Sequence, residues 1–318
     1  MKPFSIVWPV LLAIISFCNN QLQAQSIEDL GDKVTAQMLK GQYAKAASTF
    51  EKMIEIRPDS ISLRSRRAAC LCYAYKRDES FEAFNDALAI APENAQLFLQ
   101  RGNCFHQYTM YDNAVQDFTE GLKHARLDTI IKALYLNRGA SKASYMDVPG
   151  ALEDNLSALK IDSADAGIHN NLAISYGDLK EFDKAEYHLR KVLELDSVFP
   201  GGLMNLGFMY SEMKKYDKAL EILNVAVSKF PDQPYAYSNR GLAKHIVGKS
   251  KDGIKDIEKS LKIDPSNSYA YRNLAIIYSA IGETDEACKN AIRAIELNFS
   301  TNYGGEMELF YKNNCTKK

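Results

Sequence analysis

Cys70, Cys72, Cys104 and His106 are the residues of this chain nearest to a metal-ligand set. Thiolates and imidazoles bind zinc, but they must converge on one ion at about 2.0–2.3 Å. On a helix, residues two apart project about 200° from each other, so Cys70 and Cys72 do not face a common ion. The sequence contains no nucleophile elbow, phosphate-binding loop, HExxH or EF-hand loop. His106, His124, His169, His188 and His245 are scattered along the chain. The charged runs Asp217-Lys218 and Glu181-Phe182-Asp183-Lys184 read as solvated helix-start charges rather than acid and base pairs. These residue types therefore predict no catalytic residue, no metal and no cofactor.

The elements that must hold them repeat. The chain has 318 residues, 46% hydrophobic and 25% charged, which excludes a disordered chain, and a mean hydropathy of -0.29, which excludes a multi-span membrane protein. Its 39 basic and 40 acidic side chains leave a formal charge of -1, too little to draw it onto nucleic acid. The pairs Arg138-Gly139, Leu172-Ala173, Leu206-Gly207, Arg240-Gly241 and Leu274-Ala275 recur every 34 residues, and Arg101-Gly102 precedes them by 37. Tyr43-x-x-Ala46-x-x-x-Phe50, Phe182-x-x-Ala185-x-x-x-Leu189 and Tyr216-x-x-Ala219-x-x-x-Leu223 share one spacing, and prolines 58, 92, 231 and 265 share one phase. Repeats at 27–60, 61–94, 95–128, 132–165, 166–199, 200–233, 234–267 and 268–301 follow. Each shows two segments of helical apolar spacing split by a polar turn, which predicts a helix hairpin. A small residue at the eighth position and Ala at the twentieth let the two helices approach, and Pro stops the second helix. Ser80 and Gly253 depart from that Ala, Arg64 and Arg67 replace apolar residues, and Val34 fills the first eighth position. The added residues 129–131 predict a hinge between repeats three and four.

Over residues 25–301 the chain resembles a tetratricopeptide repeat protein. The resemblance implies an all-α, right-handed superhelical solenoid of about eight hairpins whose first helices line a concave groove for peptides or protein segments. Residues 302–318 are expected to cap it, with Met307, Leu309, Phe310 and Tyr311 on a short amphipathic helix from Glu306 to Lys312. Groove residues by this resemblance occupy positions 2, 5, 9, 12 and 13. Repeats two and four then present small side chains, Ser62, Ser65, Ala69, Ala133, Ala140, Ala143 and Ser144. Repeats six to eight present Met204, Phe208, Glu212, Tyr235, Leu242, His245, Ile246, Tyr269, Arg272 and Ile276. Large anchors beside Glu212 and Arg272 make this strip the expected ligand site, the alternative being that Tyr235 and Tyr269 shield the inter-repeat seam. Asn103 and Asn137 match the amides of the family's carboxylate clamp, but Leu99, Gly167 and Asn171 stand where its basic residues belong, so that clamp is not expected. The asparagines at position six, Asn137, Asn171, Asn205, Asn239 and Asn273, are expected to bond neighbouring backbone rather than ligand.

Equivalent positions on stacked repeats lie about 8–10 Å apart, too far for Cys70 and Cys104 to bridge, so Cys70, Cys72 and Cys104 read as small buried hydrophobes. Cys288, on a second helix, and Cys315, after the cap, are the expected disulfide. Lys2, the apolar run from Phe4 to Phe17 and the polar Asn19-Asn20-Gln21 before Ala24 predict a signal peptide over residues 1–24. The run is shorter than the roughly 20 residues that span a membrane. A retained anchor and lipidation at Cys18 are the alternatives, and bulky Phe17 argues against the second. The expected protein is an exported, periplasmic or secreted, non-catalytic scaffold for a protein or peptide partner, with no transmembrane span after cleavage. The competing expectation is a carbohydrate-binding or enzyme-accessory module of the cell envelope, with groove tyrosines stacked on sugar rings.

Overall fold

The computed structural model describes residues 26–299 and 305–316. The expected signal segment 1–24, Cys18, and residues 300–304 where the eighth repeat gives way to the cap lie outside them. The described residues form helices and turns and contain no strand. In order they are α1 (26–39), α2 (Tyr43–Ile56), α3 (Ile61–Tyr73), α4 (Arg77–Ile90), α5 (Ala95–Gln107), α6 (Tyr111–His124), α7 (Asp128–Ser144), α8 (Val148–Ile161) and α9 (Ala166–Asp178). There follow α10 (Phe182–Leu195), α11 (Pro200–Glu212), α12 (Tyr216–Lys229), α13 (Pro234–Ile246), α14 (Ser250–Ile263), α15 (Ser268–Ala280), α16 (Thr284–Glu296) and α17 (Glu306–Asn314). The described residues separate into two compact units, one up to residue 141 and one from residue 142, the division falling inside α7.

Each hairpin closes in the same way. Position 16 returns its N–H to the carbonyl of position 11, as in Glu181 to Tyr176 at 2.8 Å and Lys215 to Tyr210 at 2.8 Å, and position 15 between them has positive φ. This is a left-handed C-terminal cap. Gly41, Gly248 and Gly282 adopt it without a Cβ clash, whereas Tyr75, Thr109, Met146, Lys180 and Lys214 are held at φ of 58 to 65°. Ser60, Asn94, Asp165 and Asn267 accept backbone N–H groups at the starts of α3, α5, α9 and α15.

The small residues do what the spacing predicts. A Cβ on Gly102 would sit 2.5 Å from the Phe118 ring, and one on Gly207 2.5 Å from Leu223. The seventh hairpin is tighter still: a Cβ on Gly253 would lie 2.4 Å from the Gly241 carbonyl oxygen, so two glycines let backbone meet backbone there. At the other departure, Ser80 is fully buried and donates to the Ala68 carbonyl at 2.9 Å.

In the first unit the core runs from Val34 and Phe50 through Phe84 and Leu97 to Phe118 and Leu134. In the second it includes Ile168, Leu189, Leu206, Leu223, Ile257 and Ile277, each at most 2% exposed. Each such side chain contributes about 1.5–3 kcal/mol by leaving water. The second core ends on Phe299 and Met307, which cover Ala275, Ala291 and Ala294 of the last hairpin.

The residues of the expected hinge lie within a helix. Residues 129–131 extend α7 to 17 residues, against 13 for α5 and α9, because Thr129, Ile130 and Ile131 continue a helical pattern whose isoleucines pack beside Leu134.

Candidate functional site

In the first unit, α3 and α5 lie side by side as the first helices of successive hairpins. The structure joins them through Cys72 and Cys104, whose Cα atoms are 6.0 Å apart and whose sulfurs are bonded. This corrects the reading of both as isolated buried hydrophobes. Cys70 and Cys104 occupy equivalent positions and do remain apart, but Cys72 lies two residues further on and leans toward Cys104. Cys70 keeps a free thiol, buried, with its pKa pushed up to about 11 by desolvation.

The cystine helps line a cleft of about 360 Å³ between α3 and α5, bordered by Met38 near the end of α1. Its apolar surface comes from Met38, Tyr73 and Leu99, and its polar surface from Gln96, Gln100, Asn103, Gln107 and Arg66. A second recess of about 320 Å³ shares Arg66, Gln96 and Gln100 and continues past Ser62 and Ser65 to Asn94. Ser65 Oγ donates to Gln100 Oε1, and Gln107 Nε2 donates to the Cys72 carbonyl at 3.4 Å. The expected small-residue face of repeat two is therefore one wall of a cleft. The wall opposite, from repeat three, was missed although Gln96, Leu99, Asn103 and Gln107 stand at positions 2, 5, 9 and 13 and were open to the same phase argument.

The predicted strip belongs to the second unit, and its members differ in surroundings. Phe208 is 38% exposed, Tyr235 is 42% exposed, and Glu212 and Ile246 are exposed as well. Met204 and Leu242 are half-buried against clusters that include residues of the following hairpin, and Ile276 is half-buried. His245 Nδ1 lies 2.9 Å from Ser250 Oγ, and burial lowers its pKa. Tyr269 packs its ring 6.1 Å from Phe299 and 6.3 Å from Phe208, so it serves the seam to the cap. Arg272 bonds Glu306 at 2.8 Å through Nη2 and covers the Tyr269 ring at 5.6 Å. That guanidinium ties the last hairpin to α17. Cys288 and Cys315 hold the same end, with sulfurs 2.02 Å apart.

Three stretches, residues 167–195, 202–232 and 257–289, match family profiles described as tetratricopeptide repeat. The structure of a tetratricopeptide repeat protein from Parabacteroides merdae superposes with a TM-score of 0.61 over 91% of this chain and 97% of that one, at 19% identity. The chain is a tetratricopeptide repeat protein. The Cut9–Hcn1 hetero-tetramer of the APC/C matches with a TM-score of 0.60 at 15% identity, over 84% of this chain and 52% of that one, a likeness of fold alone. DnaJ homolog subfamily C member 3 of Homo sapiens is 23% identical over 137 residues, or 40% of this chain. The chain aligns with only 27% of the length of that curated relative.

The asparagines of this tetratricopeptide repeat protein are not one ladder. Asn137 donates to its own helix at Ala133, Asn205 to Asn170 Oδ1 at 2.8 Å, and fully buried Asn273 to Ser238 Oγ at 3.0 Å. The last two reach back 35 residues, from one first helix to the one before it. Two of the scattered histidines, both in the fifth repeat, meet: His169 and His188 place their Nδ1 atoms 2.8 Å apart inside the α9–α10 hairpin, with Tyr176 stacked on His188. Among the described residues, no group of three or more His, Cys, Asp or Glu is placed to hold a metal ion. No described helix is long and apolar enough to cross a membrane.

Proposed function

We propose that this tetratricopeptide repeat protein is an exported, non-catalytic scaffold that holds a peptide or protein segment against the faces formed by its first helices. The fold itself suggests protein–protein interaction. The observation that carries the finer reading is the open cleft on α3 and α5, where Met38 and Tyr73 stay 41% and 53% exposed beside a row of amides. Large side chains held at the mouth of a stapled cleft are anchors that a second chain covers. In the second unit, Phe208 and Tyr235 are exposed on α11 and α13 and supply further contact. Two cystines, Cys72–Cys104 and Cys288–Cys315, support export, since such bonds persist in oxidising compartments.

A photo-reactive phenylalanine analogue at Tyr73 or Phe208, on first helices, is expected to give adducts with polypeptide in cells secreting the protein. The same analogue at Tyr187, 56% exposed on the second helix α10, is expected to give none. Adducts at Tyr187 alone, or adducts abolished by excess oligosaccharide, would remove the reading, the latter in favour of a carbohydrate-binding module.

A further inference from the structure

We propose that the α3–α5 cleft takes an extended peptide segment bearing one carboxylate, with Arg66 as the cation that anchors it. The inference rests on the scaffold reading above and specifies its ligand.

Among the described residues, Arg66 is the sole charged one lining either recess, and no carboxylate lines them. It belongs to the run Arg64-Ser65-Arg66-Arg67, whose other guanidiniums are employed by the fold. Arg64 donates through Nε and Nη2 to the Pro58 carbonyl at 3.1 and 2.9 Å, and Arg67 pairs with Glu51. Arg66 is exposed and makes neither an ion pair nor a hydrogen bond among the described residues. Holding the fold thus accounts for two of the three arginines. A guanidinium presents parallel N–H groups that match the two oxygens of a carboxylate.

The rest of the lining suits a polypeptide. Gln96 and Asn103 are exposed, and their side chains have no partner among the described residues. A carboxamide offers a donor and an acceptor, the pairing an extended backbone asks for with its alternating N–H and C=O groups. Met38, Tyr73 and Leu99 supply apolar surface for neighbouring side chains. Cys72–Cys104 fixes the spacing of the walls, so less ordering remains for the moment of binding. One cation is too few for a nucleic-acid backbone, and a neutral sugar has no use for it.

The test uses the full oxidised chain and a fluorescent positional-scanning library of short peptides, comparing Asp and Glu with Asn, Gln and Lys at each position. One position is expected to prefer the acid over its amide by about tenfold. Arg66→Gln is expected to erase that preference with thermal unfolding unchanged, because the side chain is exposed, and Arg66→Lys to keep part of it. An acidic preference that survives in Arg66→Gln, or binding with no acidic preference, overturns this ligand assignment and leaves the scaffold reading intact. Failure of every peptide, with a neutral oligosaccharide bound instead, overturns both.

Discussion

A single hydrogen bond between two imidazoles sits inside the fifth hairpin, and in the neutral pair its direction is set by the carbonyl that the outer nitrogen meets. His169 Nε2 faces the Ser163 carbonyl at 3.1 Å, so in the neutral pair the proton is there, His169 Nδ1 accepts, and His188 Nδ1–H donates at 2.8 Å. Tyr176 and Tyr187 close the site and bring no carboxylate to stabilise a cation. Burial, and then the neighbouring His169, lower the His188 pKa from 6.5 to about 4. The unfolded chain therefore binds the proton more readily in that interval. Stability is complete above pH 6.5 and falls as pH drops toward 4. Urea unfolding followed by circular dichroism is expected to lose about 2 kcal/mol between pH 7 and 4.5. His188→Gln keeps a donor but not the titration, so its profile should be flatter between pH 6.5 and 5; an unchanged slope there would show that other groups dominate.

Within a hairpin, the first and second helices are clamped by charge at a spacing of 16 residues. Arg101 gives two bonds of 2.7 Å to Asp117 and one of 2.6 Å to Asn85, which lies 16 residues before it. Arg240 does the same with Asp256 and Asn224. The two clamps differ in reserve: Asp256 also holds Lys244 at 2.8 Å, whereas burial pushes the Asp117 carboxyl up and Arg101 is the cation opposing that. Arg101→Ala is expected to cost about 3 kcal/mol and Arg240→Ala about half of that, by chemical denaturation. Equal losses would mean that the stacking of the guanidiniums over Phe105 and Tyr237, rather than the stranded carboxylate, sets the cost. Hairpins were legible in the sequence because their code is local: Gly102 facing Phe118, or Ala219 beside Leu223, is an i to i+16 or i+4 relation repeated every 34 residues. Contacts between hairpins were not, since they join non-equivalent positions. Ser65 with Gln100, Asn205 with Asn170 and Cys72 with Cys104 are offset by 35, 35 and 32 residues, so reasoning from equivalent positions kept the cysteines apart. The cleft escaped for a related reason. Arg64, Arg66 and Arg67 look alike in sequence, and only their partners tell which one is idle.

Across the whole chain, a repeat array gains stability from neighbours, so its weak points are places where a neighbour is missing. One cystine stands at such a place, Cys288–Cys315, which ties the last hairpin to α17, while Cys72–Cys104 joins the second and third hairpins inside the array. Their sequence separations of 27 and 32 residues correspond to about 3–4 kcal/mol each by loop-closure entropy. Because energy in such an array is shared only between adjacent repeats, reduction should act locally instead of lowering every region alike. Hydrogen exchange read by mass spectrometry, with and without reductant at pH 7, is expected to show lost protection in α3 to α5 and in α16 and α17, while α9 to α12 keep theirs. Of the five cysteines beyond residue 24, one thiol should alkylate in the denatured, unreduced protein, and it should be Cys70, which burial shields in the native state. Uniform loss of protection on reduction would mean that the array unfolds as one cooperative block. Three free thiols before reduction would mean that one of the two pairs does not form, and the argument for an oxidising compartment would lose half its support.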